Sequence, residues 1–298
     1  MTLSRTQITK FVYVGQGGPL STIPLQYLYK KGFIPEIVIV ADKSRQPRGL
    51  NLLPVRPPHL DNNLAGVADR LGIPTISWRK GAETDVAAKL AEIAPEVAIM
   101  SCFPWRISEP LLAIPSIAWW NLHPSLLPRY RGPSPLFWQA KAGETITGIS
   151  LHEVVDELDA GPILSQQEVS MVAFQGRELE IELAQQGAKL VVKALSALAA
   201  DRLVTQQQRE ADATYQGFPT LQDRCVARAG AASEAYRFIM LVHSAYTLWL
   251  KVNGKHYVVK RAIGFDDNKQ MATPFLFDGE QLNVQFERGV LTLLVEEQ

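Results

Sequence analysis

Asn121 and His123 stand two positions apart, and Asp159 follows further along the chain. An amide, an imidazole and a carboxylate form a set that can donate to a developing oxyanion, exchange a proton near neutral pH and balance the resulting charge. The amide needs no particular protonation state for its part. If the backbone stays extended through Leu122, alternation points the Asn121 and His123 side chains the same way, where they can share one reacting centre.

The elements that must position these groups are legible on both sides. Ile117 to Trp120 is a short apolar run that reads as the end of a buried strand, and it breaks into polar, Pro-rich sequence at Asn121. In open parallel α/β sheets, ligands bind at the carboxyl ends of strands. A second apolar patch, Ile146 to Val155, reads as a strand running into an acidic loop with Asp156, Glu157 and Asp159, which Gly161 and Pro162 turn. That loop offers a carboxylate to the imidazole.

Lys10 to Val14 reads as a strand, Gly15-Gln16-Gly17-Gly18-Pro19 as a tight turn and Leu20 to Lys31 as a helix. A dinucleotide fingerprint would need glycine where Leu20 stands, so the turn is read as plain. Phe33 to Ala41 and Val97 to Ser101 read as buried strands and Thr75 to Trp78 as a short strand, with helices over Leu64 to Leu71 and Thr84 to Ile93. This βα alternation predicts a doubly wound, mostly parallel sheet. Asp42 to Asn63, with Arg45, Arg48 and Arg56 among prolines, reads as a long loop, either laid against a polyanion or simply solvated.

Arg177 to Ala200 has helical spacing and closes a first domain over 1–204, after which 205–220 is polar and reads as a linker. Ser233 to Ser244 reads as a helix capped by Ser233. Thr247 to Val252 and Lys255 to Arg261 read as a hairpin about Asn253-Gly254, with further strands at Phe275 to Phe277, Gln281 to Phe286 and Val290 to Val295. The region 221–298 is therefore expected to form a small antiparallel barrel.

The 298 residues, 47% hydrophobic and 20% charged, can bury a substantial core. A formal charge of +0 gives no global electrostatic case for nucleic acid or membrane. No stretch approaches the roughly 20 apolar residues of a membrane helix. Cys102 and Cys225 alone make no disulfide framework, and a cytoplasmic protein is expected. The histidines lack metal-ligand spacing, so no metal is expected, and Ser125 and Ser134 lack a G-x-S-x-G elbow.

Asn121-Leu122-His123-Pro124-Ser125-Leu126-Leu127-Pro128, then Arg131-Gly132, then Leu158-Asp159-Ala160-Gly161-Pro162 resemble the signature of the folate-dependent formyltransferases. The resemblance covers most of the chain, most firmly from Val97 to Val169. It implies a formyltransferase Rossmann-like domain followed by an OB-like barrel, with 10-formyltetrahydrofolate as formyl donor. It also implies roles: Asn121 donates to the oxyanion, and His123 donates to the same oxygen and exchanges a proton with the leaving folate nitrogen. Asp159 holds the imidazole's charge and accepts the amine's proton. Folate contacts are implied at Phe103, Pro104, Trp105, Arg106 and Ile107, whose matching loop holds the pterin in an apolar slot, and at Ser125, Leu126, Leu127, Pro128, Val155 and Asp156.

For the acceptor the resemblance implies initiator methionyl-tRNA, met by the Arg45 and Arg48 loop and by Lys251, Lys255 and Lys260 of the hairpin. Those lysines read equally as solvated strand faces. Gly15 to Leu20 depart from the Gly-Thr-Pro opening of the methionyl-tRNA enzymes, which keeps N-formylation of an amino-sugar nucleotide open as the alternative. Hydrolysis of the folate donor and a binding protein without turnover are further readings, the latter opposed by the presence of all three residues.

Overall fold

Phe11, Val12, Tyr13 and Val14 are all buried, so the first strand, β1 (Phe11–Gly15), has no solvent face, as a central parallel strand requires. The computed structural model describes residues 9–42 and 63–297. The cation-rich stretch with Arg45, Arg48 and Arg56 lies outside the described residues. Parallel to β1 run β2 (Val38–Asp42), β3 (Thr75–Arg79), β4 (Val97–Ser101) and β5 (Ala118–His123). Two antiparallel strands, β6 (Ile146–Glu153) and β7 (Ile163–Ser170), complete a seven-stranded sheet ordered β3-β2-β1-β4-β5-β6-β7.

Both faces are covered. Helices α1 (Pro19–Lys30) and α2 (Leu64–Arg70) pack Leu25, Leu28, Leu64 and Val67 against Phe11 and Tyr13 on one side. On the other, α3 (Glu83–Ile93) and α4 (Glu109–Leu112) bring Val86, Leu90 and Leu111 to Val12, Val14 and Trp119. After the short α5 (Pro135–Lys141), the long α6 (Gly176–Ala199) returns to the first face with Leu183 and Val191 against the same core. The strand order reverses between β1 and β4, and the crevice of such a sheet opens there. At that point a Cβ on Gly15 would lie 2.9 Å from Ser21 Oγ and 3.0 Å from Ser101 O, and Gly18 has φ 88 ahead of Pro19. The glycines thus serve a tight turn, as read from the sequence.

The second unit follows. Helix α7 (Ala232–Val242) starts one residue before Ser233, which is therefore not its cap. Glu234 accepts the Ala231 N–H at 3.3 Å instead, while the Ser233 N–H donates to Asp267 Oδ1 at 3.0 Å. Strands β8 (Leu248–Val252), β9 (Lys255–Asp266), β10 (Phe275–Asp278), β11 (Gln281–Gln285) and β12 (Val290–Glu297) form an antiparallel sheet ordered β10-β11-β12-β9-β8. Asn253 and Gly254 have φ 48 and 80, the backbone that an Asn-Gly hairpin turn demands. In a flat sheet β10 and β9 would stand roughly 14 Å apart. Yet the rings of Phe277 and Tyr257 lie 5.4 Å from each other, and bulges interrupt the β9 to β12 pairing. The sheet is curled and barrel-like.

The two units share a core at α5, where Phe137 meets Phe238 and Tyr246 with ring centroids 5.5 and 4.9 Å apart, and Tyr246 donates to Ser134 Oγ at 2.9 Å. Segment 205–220 joins them, and on the way it makes bridges to Ile163 and Arg131. Among the described residues no helix is long and apolar enough to cross a membrane.

Candidate active site

Strand β5 ends in Asn121, Leu122 and His123. Leu122 goes to the α6 side of the sheet, into the core, and the two polar residues share the opposite face. Pairing with β6 sets Asn121 directly opposite His152 and His123 opposite Ser150, so an imidazole stands beside the amide as a cross-strand neighbour. Because β6 is antiparallel, the loop that leaves it emerges level with Trp119, where the Val154 N–H donates to Trp119 O at 2.8 Å. The loop then carries Asp159, at φ 55, back over β5.

Asn121, His123, His152 and Asp159 are all buried. Asp159 Oδ2 accepts the Gly132 N–H at 2.9 Å and lies 3.5 Å from His123 Nδ1; Oδ1 lies 3.5 Å from both His152 Nε2 and Asn121 Nδ2. These three separations are longer than a well-formed hydrogen bond, so the carboxylate is in reach of three groups and committed only to Gly132.

The tautomers follow from the partners. His123 Nε2 lies 2.8 Å from Tyr130 O and must donate to it, which leaves Nδ1 as the lone-pair nitrogen facing Asp159. His152 Nδ1 donates to Glu153 O at 2.7 Å, so its Nε2 accepts from Asn121 Nδ2 at 3.2 Å. Burial pushes His123 below its ordinary value, opposed by the Asp159 carboxylate, which raises it, and helped by His152. For Asp159 burial alone would raise the pKa, but in the acid range where a carboxyl titrates the protonated imidazoles of His123 and His152, with the Gly132 N–H, outweigh it and hold the carboxyl well below the usual range. Near neutral pH the site holds a carboxylate beside a neutral imidazole with a free Nδ1 lone pair.

The residues expected to meet a folate divide in two. Phe103 and Trp105 form an aromatic wall with Trp78, the Phe103 ring lying 4.8 Å from Trp78 and 5.2 Å from Trp105. Pro104 lies between them, half-buried. Arg106 donates to Asp156 O at 2.5 Å and pairs with its carboxylate, so the two loops that carry these residues meet. Val155 is exposed beside them. Ile107, Ser125 and Leu127 are buried in the protein itself: Ile107 joins the core, and Ser125 Oγ donates to Arg129 O at 2.7 Å. Leu126 fills the space over Gly148, and Pro128 O accepts the Thr214 N–H. Ser125 to Pro128 shape the loop after His123.

The sequence left three participants without a role. His152 stood among the scattered histidines, and only the β5 to β6 register reveals it as the partner of Asn121. Gly132 lies in the Arg131-Gly132 pair, and among the described residues its N–H is the one close donor to the Asp159 carboxylate. Arg131, beside it, has a buried guanidinium that pairs with Gln208 and Glu210.

Residues 10–198 match the formyl transferase family. Among curated proteins, a methionyl-tRNA formyltransferase from Herpetosiphon aurantiacus is 32% identical over 208 residues, 69% of this chain and 65% of its own length. The match thus spans a little under two thirds of that relative. Another from Acidobacterium capsulatum is 30% identical over 250 residues, 83% of this chain and 78% of its own. Among solved structures, an N-formyltransferase from Helicobacter canadensis, in complex with folinic acid and dTDP-3-aminofucose, superposes with TM-score 0.69 at 15% identity, covering 97% of this chain and 100% of that one. At that identity the likeness concerns the fold.

Proposed function

The chain belongs to the formyl transferase family, and from that membership we propose that it transfers a formyl group from 10-formyltetrahydrofolate to a primary amine, the α-amine of initiator methionyl-tRNA. The observation that carries this reading is the buried cluster of Asn121, His123, His152 and Asp159 at the carboxyl end of β5, inside the span that the family matches.

A neutral amine that attacks a formyl carbon becomes positive while the carbonyl oxygen becomes negative. His123 takes the amine's proton at Nδ1, and the Asp159 carboxylate beside it stabilises the imidazolium. The same nitrogen returns the proton to the departing nitrogen. Asn121 keeps one N–H on His152 and turns the other, which in the resting site makes only a 3.5 Å approach to Asp159, toward the oxyanion. His152 thereby fixes which way the amide faces.

The residues present fit a folate. Phe103 and Trp105 give a flat ring an apolar wall, and Trp105 Nε1 is buried without a partner among the described residues, a donor that a bound heterocycle could meet. The donor brings an activated formyl group; the protein's part is to hold it against His123.

Because His123 must be neutral to take a proton and its pKa lies below 6.5, turnover is expected to rise with pH through an acid limb below that value and then level off. A pH profile of kcat/KM for the formyl donor, which reports the site before the donor binds, checks this, and an acid limb above the ordinary imidazole range would contradict it.

The tRNA reading is supported by the names of the curated relatives and the family span. In the hairpin, Lys251 is exposed, whereas Lys255 pairs with Glu297 at 2.6 Å and Lys260 pairs with Glu296. Changing all three to Ala should weaken tRNA binding and flatten its salt dependence, with Lys251 contributing most because its charge is less met. Arg45 and Arg48 are further proposed contacts. The amino-sugar nucleotide alternative draws on the Helicobacter likeness over the full chain. Steady-state assays with charged initiator methionyl-tRNA and amino-sugar nucleotides in parallel test the choice: product with tRNA supports the proposal, and product with a sugar alone overturns it.

A further inference from the structure

Segment 205–217 lies along the two loops that surround Asp159 and bonds to both. On the loop after His123, Thr214 N–H donates to Pro128 O at 3.2 Å, Arg131 N–H to Thr214 O at 2.8 Å, Gln216 N–H to Arg131 O at 3.1 Å, and Tyr130 N–H to Thr214 Oγ1 at 2.8 Å. On the loop that carries Asp159, Gln208 Nε2 donates to Asp159 O and to Gly161 O, each at 2.7 Å. Gln206 exchanges both backbone bonds with Ile163 just beyond.

Gln208 also faces the other loop. Its Oε1 accepts from Arg131 Nε at 3.1 Å and from Nη2 at 2.9 Å. The Arg131 side chain is only 5% exposed, and Glu210 takes two more of its donors at 3.1 and 2.6 Å, with Glu157 3.7 Å away. Buried in this way, the guanidinium is committed within the protein as a clamp between the connector and the site. A single amide side chain therefore bridges the loop that gives Asp159 its Gly132 N–H and the loop that carries Asp159 itself. Asp159, at φ 55, holds a backbone conformation that a non-glycine residue keeps only when its surroundings enforce it.

The geometry points to Gln208 as a positioning residue for the reaction: with Arg131 and Glu210 it makes the connector a strap that holds the Asp159 carboxylate against His123. The inference rests on the formyl-transfer reading for its kinetic consequence, and on the position of Asp159 for its structural one. The strap touches no reacting atom and acts through Asp159.

Gln208→Leu removes both halves of the bridge, and Gln208→Glu keeps the acceptor for Arg131 but loses the donors to Asp159 O and Gly161 O. Each is expected to lower kcat by about tenfold or more through misplacement of Asp159, with KM for donor and acceptor changed less than about twofold. In an Asp159→Asn background the same changes should cost nothing further, because the group they act through is already gone. An NMR titration of the His123 ring gives a readout independent of turnover. The ring is faced by the Asp159 carboxylate, by His152 and by the Tyr130 carbonyl, and loss of the carboxylate's hold should move its titration to lower pH, the direction Asp159→Asn also gives. Wild-type kcat and an unmoved His123 titration in folded Gln208→Glu would overturn the proposal, as would an undiminished further loss in the Asp159→Asn background. A wild-type protein that formylates no acceptor would instead defeat the functional reading, and the His123 titration would still decide on the strap.

Discussion

Asp159→Asn is expected to lower turnover by about 10³-fold while the protein stays folded. The substitution is nearly isosteric, and its amide oxygen can still accept the Gly132 N–H, so the loop keeps its anchor. The lost charge has two consequences of the same sign. The imidazolium that forms when His123 takes the amine's proton loses the carboxylate 3.5 Å from Nδ1, and both side chains are buried, where such an interaction is strengthened. His123 itself becomes a weaker base, since Asp159 is the main influence raising its pKa against burial. The acid limb of the kcat/KM profile should therefore shift to lower pH as the plateau falls. Kinetics across pH, with thermal unfolding as a control, check both parts; turnover within tenfold of wild type would remove Asp159 from the mechanism.

Gly132→Ala is expected to carry a large cost in stability. Gly132 has φ 113, and a Cβ there would lie 2.2 Å from Gln216 O, a backbone atom of the connector, and 3.3 Å from the Tyr215 ring. No rotamer relieves such a contact, so either the loop or the strap must move. A loss of about 3 kcal/mol or more is expected, against about 1 kcal/mol for Gly72→Ala, which has φ 69 but open space around it. Activity should fall as well, because the Gly132 N–H is the close donor to Asp159. Denaturant unfolding of the two variants side by side separates the clash from the backbone conformation. Equal losses would mean that the connector is not packed against Gly132.

Much of this arrangement was written locally in the chain. The buried runs of β1, β2 and β4 and the Asn-Gly turn of the hairpin depend on neighbouring residues, and the sequence pattern specified them well. Asn121 and His123 on one face follow from alternation alone. Other features depend on residues far apart. The approach of His152 to Asn121 exists only once β6 pairs antiparallel with β5. A polar run such as 205–220 reads as a linker because its hydrogen-bond partners, Asp159, Gly161 and Arg131, lie elsewhere in the sequence. The cap of α7 departs from the sequence reading for a simpler reason: Ser233 is a strong capping type, but Glu234, three residues after Ala231, accepts the Ala231 N–H instead. Among the folate positions, composition could not separate Ile107, Ser125 and Leu127, which are buried in the protein, from Phe103 and Trp105, which form a wall.

The most direct test of the account is a single-turnover experiment with protein in excess, 10-formyltetrahydrofolate labelled in the formyl group, and charged initiator methionyl-tRNA, followed by mass analysis of the methionine released from the tRNA. The account predicts one labelled formyl group on the methionine α-amine with wild-type protein, and formation slowed by orders of magnitude with Asp159→Asn. Methionine left unformylated by the wild-type protein under these conditions would contradict it.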